Sequence, residues 1–155
     1  DNEYYTTLRE LIFTCDNVDL ISQFINTIPN FNLECPIDST GISCLHLAVQ
    51  IGNISLVEYL CSELDVNVCD CLGRTPLHIA AAKENTTILK MLIASKVDVN
   101  FKSISVETPL IKAIKFNRIE NVEILLHYGT NSSLLVNVNL IIYNLIYKIK
   151  DFVSE

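Results

Sequence analysis

Glycine is scarce in this chain of 155 residues: there are four, no two adjacent, so no glycine loop of the kind that wraps a phosphate group is present. Basic residues are also few. Eleven Lys and Arg stand against 18 Asp and Glu, a net charge of −7, and no window gathers the cationic stripe needed to neutralise nucleic-acid phosphates. Direct nucleic-acid binding is therefore not expected. No unbroken apolar run approaches the roughly 18 residues that a membrane-spanning helix needs, and the opening Asp1-Asn2-Glu3-Tyr4 lacks the basic-then-apolar order of a signal peptide. The expectation is a soluble, non-secreted chain with no membrane association, resident in cytoplasm or nucleus. Its first residue is Asp rather than Met, so neither end is read as a natural terminus.

What the chain has is apolar residues, 50% of the total and ample for one continuous core, and an internal repeat. Gly73-Arg74-Thr75-Pro76-Leu77-His78-Ile79-Ala80-Ala81 is echoed 32 residues earlier by Gly41-Ile42-Ser43-Cys44-Leu45-His46-Leu47-Ala48-Val49. It returns 33 residues later, more weakly, as Val106-Glu107-Thr108-Pro109-Leu110-Ile111-Lys112-Ala113-Ile114. Each block is followed by a second apolar helix pattern: Leu56-Val57 with Leu60-Cys61, Ile88-Leu89 with Leu92-Ile93, and Val122 with Leu125-Leu126. These patterns close on Asp65-Val66-Asn67, Asp98-Val99-Asn100 and, less faithfully, Gly129-Thr130-Asn131. Thr75 suits a helix N-cap, and Pro76 in the first turn gives up no needed hydrogen bond. Leu77 and Ala80 then face the neighbouring repeat, with a small residue where two helices approach. Gly41 and Gly73 suit a tight turn at positive φ. Val106 in the same slot predicts a looser or differently turned loop.

The period near 33 and the Thr-Pro-Leu-His-x-Ala core resemble the ankyrin-repeat family. The resemblance is good over residues 38 to about 133. It implies an all-α solenoid of stacked helix-turn-helix units joined by β-hairpin loops. The chain divides into one domain, 1–155, with a degenerate capping repeat at 4–37, repeats at 38–69, 70–102 and 103–133, and a C-terminal capping helix or half-repeat at 134–155. In the first of these, Leu11-Ile12 stand for the first helix, Leu20-Ile21 with Phe24-Ile25 for the second, and Phe31-Asn32 for the closing pair. His46 and His78 occupy one slot in successive repeats, and the resemblance implies that they tie each hairpin loop to the next by hydrogen bonds. The tail places Leu140, Ile141, Leu145, Ile146, Ile149 and Phe152 at helical spacing. It reads as a simple cap or, because Tyr143 and Tyr147 share the same short helix, as a candidate homodimer contact.

Chemistry is sparse. Cys15, Cys35, Cys44, Cys61, Cys69 and Cys71 read as reduced thiols. Cys35, Cys69 and Cys71 fall near equivalent hairpin positions, but they lack Cys-x₂-Cys spacing and a fourth ligand, so no metal and no cofactor is expected. No Ser or Cys sits in a recognisable nucleophile setting, and a catalytic function is not expected.

The positions that such a fold leaves free are the hairpin tips and the inward ends of the first helices. Ile42, Gln50, Ile51, Leu72, Arg74, Lys83, Ile104, Glu107, Lys115 and Phe116 are the expected contacts with a partner protein. The apolar members form a binding stripe, and Arg74, Glu107 and Lys115 set orientation at its rim. Size and acidity also resemble the NF-κB inhibitors, which implies an alternative: sequestration of a Rel-type transcription factor.

Overall fold

A computed structural model describes residues 3–129. The repeat at 103–133 is thus described as far as Gly129, and the expected capping helix or half-repeat at 134–155, with the candidate dimer contact, lies outside the described residues.

Among the described residues the regular structure is eight helices: α1 (Glu3–Thr14), α2 (Val18–Thr27), α3 (Cys44–Ile51), α4 (Ile54–Glu63), α5 (Pro76–Ala81), α6 (Thr86–Ala94), α7 (Pro109–Lys115) and α8 (Ile119–His127). Their starts are written in the sequence. Ser43, Thr75 and Thr108 take extended backbone geometry at the N-caps of α3, α5 and α7, and Pro76 and Pro109 open the last two. The second helix of each of the first three pairs starts after an asparagine: the Oδ1 atoms of Asn17, Asn53 and Asn85 accept from backbone N–H groups of the first turn.

Helices pack as antiparallel pairs. The first helices α1, α3, α5 and α7 stack in one layer, and the second helices α2, α4, α6 and α8 stack in another. Between the layers runs one core, with Leu8, Ile12, Ile21, Leu45, Leu56, Leu60, Leu77, Leu89, Leu92, Leu110 and Leu125 essentially sealed from solvent. Ala48, Ala80 and Ala113 recur at a single slot on the first helices, all buried, where a larger side chain would force neighbouring helices apart. In the N-terminal pair Leu8 and Ile12 supply the buried face of α1, and Ile21 and Ile25 that of α2, whereas Leu20 faces solvent. The Tyr5 ring stacks on Phe31 with centroids 4.9 Å apart, and the Tyr5 hydroxyl donates to Asn32 O.

The loops between repeats are the expected hairpins, and they contain no strand among the described residues. Each is closed across its base by a backbone bond: Ile37 N–H to Ile42 O (2.7 Å), Asp70 N–H to Arg74 O (3.0 Å), and Ser103 N–H to Glu107 O (2.9 Å). One such pair per loop is too little to propagate a ladder. One expectation needs correction: the Val106 loop is not differently turned. Val106 takes φ +59°, beside +77° at Gly41 and +68° at Gly73, and its N–H donates to Ser103 O at 2.9 Å as Gly73 N–H does to Asp70 O. The loop's cross-links to the preceding repeat hold a β-branched residue in a region it ordinarily avoids.

Candidate functional site

Hairpin tips join neighbour to neighbour. Cys71 N–H donates to Thr40 O and Ile104 N–H to Leu72 O, both at 3.0 Å. Beneath them the buried histidines do the same. Ser43 N–H and Thr75 N–H donate to the Nδ1 atoms of His46 and His78, so Nδ1 carries no proton. Nε2 therefore holds the hydrogen and donates across to the next repeat, His46 to Arg74 O (2.8 Å) and His78 to Glu107 O (2.9 Å). Burial lowers both imidazole pKa values from 6.5, in keeping with this neutral tautomer. The role that the resemblance implied for the pair is thus visible in the geometry: they lock the loops into one rigid edge.

Between the rigid edge and the first helices lies a groove of about 510 Å³. Ile42, Gln50, Arg74, Lys83 and Phe116 line it together with His78, Ile79, Ala82, Lys112 and Arg118. Five of the ten expected contacts are therefore gathered in one place. Ile51 borders an adjoining groove of about 450 Å³ that shares Gln50, Lys83 and Arg118. Leu72 and Ile104 stand outside both, on the hairpin tips, 56% and 72% exposed. The expected single stripe is in fact two surfaces, an apolar row of tips and a groove behind it. Ile42 also departs from expectation: it is half-buried against the core and forms groove floor rather than a free tip.

The charged members are tied down. The guanidinium of Arg74 is bound by Asp70, with Nε to Oδ2 at 2.7 Å. Burial opposes charge on Asp70, but hydrogen bonds from the Arg74 side chain and from the Arg74 and Leu72 N–H groups outweigh it and hold the carboxyl below its usual value. Glu107 binds Lys112 at 2.6 Å and also Lys115, and these two bonds bring its pKa down to about 2. Arg74 and Glu107 thus act first as internal braces of their loops. Lys83 is exposed, and its Nζ donates to Gln50 O at 2.9 Å.

Sequence reasoning missed two residues here. Arg118 stands where Asn53 and Asn85 cap the earlier helices. Instead of capping, it reaches back to Ala82 O (2.9 Å) and Glu84 (2.9 Å). Asn121 stands where Leu56 and Ile88 fill the core. Its Nδ2 lies within hydrogen-bond distance of the carbonyls of Ala80 (3.4 Å), Ala81 (3.1 Å) and Lys83 (2.7 Å), gripping the end of the short helix α5. The signal was present as two breaks in the repeat at polar positions.

Cys44 is buried, and desolvation raises its thiol pKa to about 12; Cys61 is half-buried, and Cys69 and Cys71 are exposed. Among the described residues no group of three or more His, Cys, Asp or Glu side chains is placed to hold a metal ion, and no helix is long and apolar enough to cross a membrane.

The family model for ankyrin repeats (3 copies) matches residues 6–103 and 45–135. Notch homolog protein 1 of Xenopus laevis is 34% identical over 101 residues, 64% of this chain and 4% of that protein. A putative ankyrin repeat protein of Rickettsia bellii is 40% identical over 57 residues, 37% of this chain and 35% of that one. The probable 26S proteasome regulatory subunit p28 of Saccharomyces cerevisiae is 26% identical over 117 residues, 74% and 51% of the two chains. The chain spans about 4% of the length of the Notch relatives that it matches.

Proposed function

Because the chain belongs to the ankyrin-repeat family, whose repeats indicate protein–protein interaction, we propose that it is a non-catalytic binding module holding a partner protein on its hairpin tips and inner groove. The observation that carries this reading is the run of exposed apolar side chains, Leu72 and Ile104 on the tips and Phe116 in the groove, along an edge that His46 and His78 make rigid. Such a surface is ordered before binding, so little conformational entropy remains to be lost. Arg74 and Glu107 contribute by fixing the loops, and Lys83 and Lys115 by standing at the rim.

The test is affinity purification from cell lysate with the intact chain, with Leu72→Glu and with Phe116→Glu, each variant checked by circular dichroism. A protein captured by the intact chain and lost with either variant identifies the partner and the surface that holds it. Capture that is equal for all three forms refutes both surfaces.

The narrower reading, sequestration of a Rel-type transcription factor, draws support from the small size and acidity of the stack. A purified Rel-homology domain that fails to bind removes it. The six free cysteines support a reducing compartment, cytoplasm or nucleus, which imaging of a tagged chain would check.

A further inference from the structure

We propose that the inner groove selects an acidic segment of the partner, an extended stretch rich in Asp and Glu that carries an apolar side chain. This deepens the binding-module reading and rests on it.

The charge of the molecule is unevenly placed. Nine Lys and Arg fall among the described residues, and five of them, Arg74, Lys83, Lys112, Lys115 and Arg118, lie in or beside the groove. No Asp or Glu lines it. Three carboxylates reach these cations from outside: Asp70 is spent on Arg74, Glu107 is shared between Lys112 and Lys115, and Glu84 meets Arg118. Five cations less three carboxylates leave a local charge of +2 in a chain of −7. Lys83 donates to a backbone carbonyl, that of Gln50, and an ammonium with three donors retains capacity for a carboxylate. On the second helices acids predominate: Glu58 and Glu63 on α4 and Glu120 and Glu123 on α8 are exposed, against one exposed cation, Lys90 on α6.

An anion approaching the outer layer is repelled, and one entering the groove is attracted. A basic segment meets the opposite field. The floor adds a second requirement. Ile42 and Ile79 are half-buried, and the Phe116 ring is 52% exposed beside them, so a bound chain gains by presenting an apolar side chain. The groove passes from α3 to α7, two helix spacings of about 8–10 Å each, which an extended peptide covers in about six residues. A short segment stays within the local positive field. A nucleic-acid strand extends over the acidic surroundings, beyond the Debye length of about 8 Å.

The full chain is immobilised and challenged with a random library of displayed peptides of about 12 residues, twice the span that the groove covers. The charge-reversal variant Lys83→Glu, Lys115→Glu leaves Lys112 to hold Glu107. Lys83→Gln, Lys115→Gln is a neutral second variant, and Lys90→Glu, Lys96→Glu, outside the groove, is a control with the same net charge. The expected result is enrichment of peptides with more Asp and Glu than Lys and Arg around an apolar residue. Their affinity should fall about tenfold or more with the reversal, less with the neutral pair, and hardly at all with the control. Enriched peptides that are neutral or basic, or acidic ones insensitive to the reversal, overturn the proposal while leaving the binding-module reading intact. A single-stranded DNA probe that binds as tightly as the peptides, with the same sensitivity, also overturns it. A folded chain that enriches no peptide and captures no protein removes both readings.

Discussion

Three residues occupy one left-handed turn position in successive hairpins, and the space above the two glycines differs. At Gly41 an added Cβ would lie 2.7 Å from Cys71 N and 2.8 Å from Cys71 Sγ; at Gly73 it would lie 3.0 Å from Ile104 N and 3.3 Å from Ile104 Cγ1. Both N–H groups are held across the repeats, on Thr40 O and Leu72 O, and cannot withdraw without breaking the link between tips, so the shorter distance at Gly41 sets the difference. An alanine in the left-handed region costs about 1–2 kcal/mol, offset by about 0.4–1 kcal/mol from the stiffer unfolded chain. Gly73→Ala should therefore cost about 1 kcal/mol, and Gly41→Ala about 2–3 once the steric overlap is added. Val106, at φ +59° and 64% exposed, already bears the strain and has little burial to lose. Relief of about 1–2 kcal/mol, less about 0.4–1 kcal/mol for the entropy that a glycine adds, means that Val106→Gly should stabilise by up to about 1.5 kcal/mol. Urea denaturation of the three variants, followed by circular dichroism, measures the series, and about 1 kcal/mol corresponds to roughly 2–4 °C in Tm for a chain of this size. If Gly41→Ala costs less than Gly73→Ala, or Val106→Gly destabilises by more than about 0.5 kcal/mol, the steric reasoning fails.

Asn121→Leu restores the apolar residue that the other repeats carry, but it strips the carbonyls of Ala80, Ala81 and Lys83 of a shared donor. A loss of about 1–3 kcal/mol is expected in the same urea assay; equal or higher stability would show that the grip on α5 contributes nothing. The depressed pKa values of His46 and His78 predict the pH response. The unfolded chain, with imidazoles near 6.5, binds more protons than the folded one, so stability is complete above that value and falls as the pH drops below it towards the folded pKa values. Thermal melts of His46→Gln, His78→Gln should show a shallower fall below pH 6.5 than the parent. Parallel profiles would show that these groups do not govern it.

Much of the fold was legible because its signals are local. The Ser or Thr before α3, α5 and α7, Pro76 and Pro109, the asparagine before α2, α4 and α6 and the apolar spacing each act within a few residues, and they recur. The site was legible in part for the same reason. Ile51, Leu72, Ile104 and Phe116 are exposed, as their repeat positions imply. Ile42 was misplaced because its burial depends on how one loop lies over the core, and Arg74 and Glu107 because their partners, Asp70, Lys112 and Lys115, come into reach only when the loop closes.

By itself the sequence determined the repeat, the helix starts and the identity of the core, since a hydrogen-bonded cap or an apolar face needs only residues close along the chain. Tertiary structure decided the rest. It placed four cations around one groove from residues as far apart as Arg74 and Arg118, held Val106 in a glycine's conformation, and turned Asn121 from a break in the pattern into a clamp. Each of these depends on distances between repeats, which the stacking of whole helices fixes and no local pattern encodes.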